Sequence, residues 1–194
     1  MEFNDLSTPL AYLRSRRSGR PRDMVAPGPD AATLRDMVTL AARTPDHGKL
    51  APWRFVSIPP DARDAFANLL ADAYRAEKPA AARLEIEAMH QFAHQAPTLV
   101  AVISAPRRDS HIPLWEQQLA AGAACMNLEH AAHAHGFVAG WLTGFPAYSA
   151  AVCTALGGRE GDRIAGFVFI GTPSRPLEER PRPDLDAIFA EWRG

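Results

Sequence analysis

The stretch "TLVAVIS", residues 98–104, is an almost unbroken apolar run of β-branched and small aliphatic residues. A strand that lacks polar alternation in this way is typically buried on both of its faces. The run therefore predicts the central strand of a sheet. Outward along the chain, three more runs rich in β-branched and aromatic residues predict its companion strands: "WRFVSI" (53–58), "FVAGWLTG" (137–144) and "RIAGFVFIG" (163–171).

Segments with helical periodicity lie before and between these strands. They cover residues 5–17, 31–43, 60–76, 79–94, 113–135 and 147–156. Leu6, Leu10 and Leu13 share one face of the first segment. Asp30 is predicted to cap the second, and Pro45 to end it, because a residue that precedes proline is pushed out of the helical region. Since helices and strands are interleaved, the residues alone predict an α/β or α+β sheet with helices on both faces.

The composition excludes several functional classes. The chain has 194 residues, which predicts one domain over 1–194. A net charge of −1 and a pI near 6.7 argue against a nucleic-acid or membrane-surface binder. Cys125 and Cys153 form no CxxC motif, which fits a reducing cytoplasm better than a disulfide framework or zinc finger. With no apolar signal core and no run long enough to span a membrane, a cytoplasmic location is expected.

A basic cluster, "RSRRSGRPR" at residues 14–22, holds five arginines in nine positions. Guanidinium groups match the geometry of phosphate oxygens, and Ser18 adds a hydroxyl donor. The cluster therefore indicates either a phosphate site or a solvated basic helix end. Nucleic-acid binding is disfavoured, because no aromatic residues are interleaved with the arginines.

A second polar cluster occupies the helix-to-strand junction "ARTPDHGKLAPWRF", residues 42–55. Two prolines stiffen it, and Gly48 allows close approach of the backbone to a ligand. Arg43, His47 and Lys49 supply donors, which suit a ligand edge with acceptor atoms or a developing anion. The alternative is an exposed loop in which His47 bonds only a carbonyl group.

The third cluster is "GWLTGF", residues 140–145, at the predicted end of a strand. Ligands in open sheets with parallel strands favour such ends. Trp141 fits either a wall for a flat ring or the core. His90 and His94, in "HQFAH", have the spacing of a zinc helix but lack its glutamate and a third ligand, so no metal site is predicted.

The segment 113–135 is more apolar than one small sheet requires. Trp115, Leu119, Met126 and Leu128 lie around its circumference, and its centre, "AAGAACM", is rich in small residues. The tail contains the apolar run "LDAIFAEW" without a local partner. These features predict a homodimer, because a small-residue centre suits close packing against a symmetry mate.

In this order and spacing, the clusters resemble the FMN-dependent nitroreductase family, in particular its small single-domain bacterial branch. The resemblance runs from about Leu6 to Pro173. Its specific part is the combination of "RxPDHxxxxPW", "WEQ" and "GxP" in register. The segments that carry it are "RRS" (16–18), "RTPDHGKLAPWRF" (43–55), "WEQQLAAGAACMNLEHAAHAHGF" (115–137), "GWLTGF" (140–145) and "GFVFIGTP" (166–173).

The resemblance implies an α+β fold with a mixed central β-sheet flanked by helices, and a non-covalent FMN. It assigns the FMN phosphate and ribityl chain to Arg16, Arg17 and Ser18, and the ribityl chain or pyrimidine edge to Arg43 and His47. The cofactor would be lined by Trp141, Leu142 and Thr143. Weaker candidates are Lys49, in an electrostatic role, and Arg182, the counterpart of a late phosphate-binding arginine. Leu142 departs from the polar or basic residue of close relatives.

The resemblance also implies an activity and an assembly. NAD(P)H would reduce the flavin, which would then reduce a nitroaromatic, quinone or related acceptor in a ping-pong cycle without a catalytic side chain. The nicotinamide dinucleotide is assigned to Ala131, Ala132, His133, Ala134, His135 and Gly136. The flavin would lie at the boundary of a homodimer, with the tail 174–194 crossing to the partner subunit. The alternative function is a flavin-binding or flavin-scavenging protein without nitroreductase turnover.

Overall fold

The computed structural model describes residues 3–194. Its helices are α1 (Pro9–Ser15), α2 (Ala31–Ala41), α3 (Arg63–Glu77), α4 (Arg83–His94), α5 (Leu114–Ala134), α6 (Phe145–Tyr148), α7 (Ala150–Ala155) and α8 (Leu185–Ile188). Its strands are β1 (Met24–Val25), β2 (Trp53–Ile58), β3 (Thr98–Ser104), β4 (Val138–Leu142) and β5 (Arg163–Pro173). All four predicted strands are confirmed, as β2, β3, β4 and β5. β1 was not predicted, because two residues are too few to show a hydrophobic pattern.

The sheet is antiparallel at every described strand pair. β3 lies between β2 and β5, and the outer edge of β5 pairs with β4 and then with β1. The expected mixed sheet is therefore wrong for residues 3–194. Hydrophobic periodicity reports which faces of a strand are buried, but it carries no information on strand direction. The segment "GWLTGF" is therefore at the end of an antiparallel strand and not at a crevice between parallel strands.

β3 is the central strand, as predicted. All seven of its residues are buried. Helices cover the sheet on both sides, because its strands carry apolar side chains on both faces. In β5, Phe167 and Phe169 pack into one apolar cluster, and Val168 and Ile170 pack into another on the opposite face. The first cluster lies under α3 and α4, and the second under α2 and α5.

α1 is shorter than predicted. Thr8 caps it by accepting a hydrogen bond from the Ala11 amide at 3.0 Å, and it ends at Ser15 because Arg16 leaves the helical region with ψ 125°. The leucines that share one face, Leu10 and Leu13 together with Leu6, are all exposed. The side of α1 that meets the protein carries Ser15, which is buried, and Tyr12, which is half-buried.

α2 begins as predicted, with the Asp30 carboxylate accepting a hydrogen bond from the Thr33 amide at 2.7 Å. It packs along α5, whose inner face is buried. Leu128 belongs to that inner face and is fully buried, so its inclusion among the surplus apolar residues of α5 was wrong. Trp115 and Leu119, in contrast, are 66% and 53% exposed. An apolar stretch of α5 therefore faces outward.

The tail has two parts. Residues 174–182 lie against the beginning of the chain, where Ser174 donates its amide proton to the Asp23 carbonyl at 2.9 Å. Beyond them the apolar side chains are exposed: Leu185, Ile188, Phe189 and Trp192. Exchange of this tail between subunits stays a prediction. None of the helices within residues 3–194 has the length and apolar character needed to cross a membrane.

Candidate functional site

Two of the predicted clusters are joined by a backbone contact. They are the arginine segment, residues 14–22, and the β4 end, residues 140–145. The Gly19 amide donates a hydrogen bond to the Ala139 carbonyl at 2.9 Å. A Cβ atom at Gly140 would lie 2.6 Å from the Gly19 carbonyl oxygen, well inside van der Waals distance. The contact therefore depends on glycine at position 140. It brings residues 16–18 next to residues 141–143, as one flavin site would require.

The Arg16 guanidinium is half-buried and forms no ion pair with a carboxylate of residues 3–194. Within the described residues, its one side-chain hydrogen bond runs from Nη1 to the Ser18 hydroxyl at 3.2 Å. The Ser18 hydroxyl donates in turn to the Glu129 carboxylate at 3.1 Å. A half-buried guanidinium with a hydroxyl beside it and no carboxylate partner is suited to an incoming anion.

Two further arginines of the segment, Arg17 and Arg20, contact the first part of the tail. Arg17 Nε donates to the Glu178 carbonyl at 2.6 Å, and Arg20 forms an ion pair with the Glu178 carboxylate. Arg182 pairs with Glu179 at 2.9 Å, and its guanidinium lies 3.5 Å from the Arg16 carbonyl oxygen. The cleft between these two segments contains a cavity of about 20 Å³. Arg182, predicted from a loose correspondence, therefore lies beside Arg16.

Glu129 was missed by the sequence reasoning. It is buried on the inner face of α5, and burial raises the pKa of its carboxyl group, opposed by the Ser18 hydroxyl, by the charge of Arg16 and by the backbone N–H of Trp141. The carboxyl group thus lies between the two joined clusters. A signal was available, because Glu129 follows Cys125 by one helical turn on a face that also carries Ala121 and Leu128.

The residues of the β4 end differ in exposure. Trp141 is 36% exposed, and its indole N–H donates to the Ala165 carbonyl at 3.1 Å. The ring covers Gly166 so closely that a Cβ atom there would lie 1.7 Å from the indole nitrogen. Leu142 packs against the core, and Thr143 is half-buried. Trp141 is therefore only partly buried: one part of its ring packs against β5, and another part is exposed.

The helix-to-strand junction that carries Arg43 and His47 contacts the N-terminal end of α5 through His47. His47 Nδ1 is 2.9 Å from a carboxylate oxygen of Glu116, in the first turn of α5. Ser18 contacts α5 at Glu129, which follows Glu116 by thirteen residues. At 1.5 Å per residue, the two contacts are about 20 Å apart along the helix axis. Within one subunit, His47 is therefore separated from the arginine segment. The other end of the junction is closer, because Thr44 accepts a hydrogen bond at 2.6 Å from Asn127, two residues before Glu129.

The backbone of this junction adopts left-handed conformations at three positions. They are Gly48 with φ 79°, Lys49 with φ 55° and Ala51 with φ 46°. The Asp46 carboxylate holds the loop by accepting a hydrogen bond from the Ala51 amide at 2.9 Å. Left-handed non-glycine residues cost about 1–3 kcal/mol each and concentrate at functional sites. The strained loop presents His47 and Lys49 on the surface.

The segment assigned to the nicotinamide dinucleotide is divided by burial. Its first three side chains, those of Ala131, Ala132 and His133, are buried inside the protein. The remaining three residues, Ala134, His135 and Gly136, are exposed where α5 ends. Direct side-chain contact with a ligand is thus open only to the second half.

Of the two histidines considered for a metal, His94 is exposed and His90 is half-buried. His94 Nε2 lies 3.3 Å from a carboxylate oxygen of Asp64, and both side chains are substantially exposed. In the part of the chain that the structure describes, no group of three or more histidine, cysteine or acidic residues is arranged to hold a metal ion.

Comparisons with known proteins address the family directly. A sequence profile described as the nitroreductase family matches residues 13–172. "Putative NAD(P)H nitroreductase YdjA" of Escherichia coli K12 is 32% identical over 164 residues, covering 84% of this chain and 87% of the relative. A "Putative NAD(P)H nitroreductase" of Haemophilus influenzae is 33% identical over 179 residues, covering 89% and 92%.

Solved structures show the same fold. A nitroreductase-like family protein from Bacillus cereus superposes with a TM-score of 0.79 at 20% identity, covering 96% of this chain and 97% of the other. A nitroreductase from Desulfovibrio desulfuricans, solved in complex with FMN and named as putative, superposes with a TM-score of 0.72 at 22% identity, covering 97% and 99%.

Proposed function

The chain belongs to the nitroreductase family, and on this premise we propose that it is an FMN-dependent oxidoreductase that takes electrons from NAD(P)H. Nitroaromatics, quinones or related compounds are the proposed acceptors. The two relatives described above are named as NAD(P)H nitroreductases, and the Desulfovibrio structure contains FMN. The proposed place of action is the cytoplasm, which fits the two free, buried cysteine thiols.

The observation that carries the proposal is the unpaired guanidinium of Arg16 beside Ser18, held against the β4 end. Its donors fit a terminal phosphate, and the exposed part of Trp141 lies in the adjoining segment. The sequence has no GxGxxG turn for a pyrophosphate, which favours FMN over FAD. The residues present therefore fit the cofactor.

Each residue has a proposed role in holding the cofactor. Arg16 and Ser18 bind the phosphate and ribityl chain, and Arg17 and Arg182 add positive charge beside them. The side chains of Trp141 and Thr143, with the backbone of Leu142, form one wall of the ring site. When bound, the flavin supplies the hydride chemistry, while the protein orients it and tunes its charge. No side chain is needed as a nucleophile.

The second wall comes from a second copy of the chain in this proposal. The His47 contact lies about 20 Å along α5 from the Ser18 contact, too far for His47 to meet a flavin phosphate held in the same subunit. A two-fold axis near the exposed face of α5 would place the junction of one subunit opposite the arginine segment of the other. The outward Trp115 and Leu119 supply the apolar surface for that contact.

The donor and the acceptor are proposed to occupy the same side of the ring in turn. Among the residues assigned to the dinucleotide, Ala134, His135 and Gly136 are exposed and are the ones proposed to make direct contact. Lys49, from the junction, is placed near the pyrimidine edge, where a fixed positive charge favours the reduced, anionic form of the ring.

The colour of the purified protein tests the proposal. We expect a yellow protein that releases FMN on heating, identified by chromatography, and that bleaches when NADH or NADPH is added without oxygen. Addition of a nitroaromatic or quinone should restore the colour. A dominant FAD peak or a colourless protein that takes up no FMN would contradict the cofactor assignment. Bound flavin that neither nicotinamide reduces would support the flavin-binding alternative without turnover.

A further inference from the structure

A cluster of three polar side chains lies where α1 meets α5, and the function proposed above makes no use of it. The Tyr12 hydroxyl is 2.6 Å from Nδ1 of His130 and 2.7 Å from Nδ1 of His133. Both imidazole rings meet the phenol ring edge-on, with centroids 5.4 Å and 5.9 Å away. His133 is fully buried and His130 is half-buried.

The hydrogen-bond inventory of these groups determines where their protons lie. A phenol has one O–H group, so Tyr12 donates to one imidazole and accepts from the other. The Ala139 amide donates to Nε2 of His133 at 3.4 Å, which makes that nitrogen an acceptor and leaves the His133 proton on Nδ1. His133 therefore donates to Tyr12, and Tyr12 donates to His130. The remaining proton of His130 is on Nε2, away from the phenol.

The cluster stays uncharged at neutral pH. Burial, together with the nearby charge of Arg16, lowers the pKa of His133 to about 3 and also lowers the pKa of His130. Burial raises the pKa of Tyr12 to about 12. Because no member gains or loses a proton near pH 7, the order of donors and acceptors is fixed. Such a network holds its elements in one geometry.

Two contacts connect the network to the arginine segment. Tyr12 lies on α1, and Arg16 follows it by four residues, about one helical turn, directly after the C-terminal end of the helix. Ala139, whose amide meets His133, also accepts the hydrogen bond from the Gly19 amide at 2.9 Å. The network therefore holds the chain on both sides of Arg16 and Ser18.

α1 needs such support, because it has only seven residues. Isolated helices shorter than about 12–15 residues are marginal in water, so tertiary contacts must hold them in place. The leucines of α1 are exposed and contribute no core packing. The hydrogen bonds between Tyr12 and the two histidines of α5 are therefore the main attachments of α1 to the rest of the protein.

We propose that Tyr12, His130 and His133 are positioning residues for Arg16. They hold α1 against α5 so that the Arg16 guanidinium is presented to the phosphate of the cofactor, which they do not touch themselves. The inference rests on the proposed function, since it assumes that Arg16 binds the FMN phosphate. It assigns a role to an interaction between residues that are 118 and 121 positions apart in the sequence.

A double-variant cycle tests the proposal, with FMN affinity of the cofactor-free protein measured by quenching of FMN fluorescence. Tyr12→Phe keeps the ring and removes both hydrogen bonds, and it should weaken FMN binding roughly tenfold. Combined with Arg16→Ala, it should cause no further loss beyond Arg16→Ala alone, because residues that act through one contact are not additive. Two independent, multiplying losses would overturn the proposal, as would unchanged binding by Tyr12→Phe.

Tyr74→Phe is the matched control. Tyr74 also donates a hydrogen bond, to Glu85 at 2.7 Å, but between α3 and α4, on the other side of the sheet. It should lose a comparable interaction and keep its FMN affinity. Urea unfolding of each cofactor-free variant verifies that it is folded. If the unsubstituted chain takes up no FMN, the proposed function fails with the inference; if Arg16→Ala weakens binding and Tyr12→Phe does not, only the inference fails.

Nuclear magnetic resonance of the cofactor-free protein adds a test that is independent of FMN. The nitrogen shifts of His133 at pH 7 should be those of a neutral ring with its proton on Nδ1. A protonated ring, or a proton on Nε2, would contradict the proposed order of hydrogen bonds.

Discussion

The Ser18 hydroxyl donates a hydrogen bond to the buried carboxyl group of Glu129 at 3.1 Å. Ser18, which is proposed to bind the phosphate group, is thus also held in place by a buried acidic side chain of α5. Since the Trp141 amide and the Arg16 charge both act on the same carboxyl group, Glu129 couples the arginine segment to the end of β4. Burial raises the pKa of this group, so its ionised form is disfavoured in the folded protein.

The first prediction is that Glu129 makes stability fall with rising pH. Because its folded-state pKa is raised, the folded protein binds this proton more tightly than the unfolded chain does. The contribution to stability is full below the unfolded pKa, near 4.5, and is lost as the pH rises through the folded pKa. Glu129→Gln should therefore gain stability relative to the unsubstituted chain between pH 4.5 and pH 8, as measured by urea unfolding. An unchanged difference across this range would contradict the prediction.

His133 should produce the opposite dependence. Its folded pKa is about 3, below the ordinary value of 6.5, so the unfolded chain binds more protons between these values. The free energy of unfolding should fall as the pH decreases from 6.5 toward 3, by several kcal/mol at about 1.4 kcal/mol per unit. His133→Gln should make this acid limb less steep. Equal slopes for the two proteins would show that His133 does not titrate as a buried neutral base.

Arg16→Ala should weaken FMN binding by roughly ten- to a hundred-fold, because a charge-assisted hydrogen bond contributes about 1.5–3 kcal/mol. The matched control is Arg14→Ala, which removes the same charge from an exposed position of α1. It should leave the affinity nearly unchanged. Equal losses for both variants, measured by fluorescence titration, would mean that only the general positive charge of the segment matters.

Gly140→Ala should disturb the contact between the arginine segment and β4. The new Cβ atom would lie 2.6 Å from the Gly19 carbonyl oxygen, and a backbone atom cannot rotate away as a side chain can. Overpacking of this kind costs about 1–3 kcal/mol of stability. We expect a lower urea midpoint together with weaker FMN binding. A destabilised variant that binds FMN normally would show that this contact does not shape the cofactor site.

The assembly prediction concerns the outward face of α5. Light scattering should give a mass near twice 21.1 kDa for the full chain. Leu119→Arg should produce monomers with weakened FMN binding, because it places a charge on the proposed interface. The control is Leu84→Arg, since Leu84 is 67% exposed on α4, compared with 53% for Leu119 on α5. A dimer that persists in Leu119→Arg would exclude this face from the contact.

Removal of residues 184–194 tests the tail separately. This truncation keeps the contacts of Arg175 and Arg182 with the body of the chain and deletes the exposed apolar run. We expect a weaker dimer and partial loss of flavin. A truncated protein with full dimer stability would show that the tail does not cross to the partner subunit.

Much of the fold and the family followed from the sequence by itself. The strands at 53–58 and 98–104 match their predicted bounds, because burial on one or both faces leaves a local pattern in residue type. The Asp30 cap was also predictable, since capping involves residues three apart. The family resemblance, carried by short motifs in register, is confirmed by the match over residues 13–172.

Tertiary structure decided what depends on contacts between distant positions. Strand direction left no mark on periodicity, so the antiparallel sheet came as a correction. Short motifs did not reveal that Ser18 reaches Glu129, or that Tyr12 reaches two histidines more than 115 positions away. Nor did they show that His47 and Ser18 contact α5 about 20 Å apart in one subunit. A local pattern records whether a side chain is buried, but only the folded chain determines which side chain it meets.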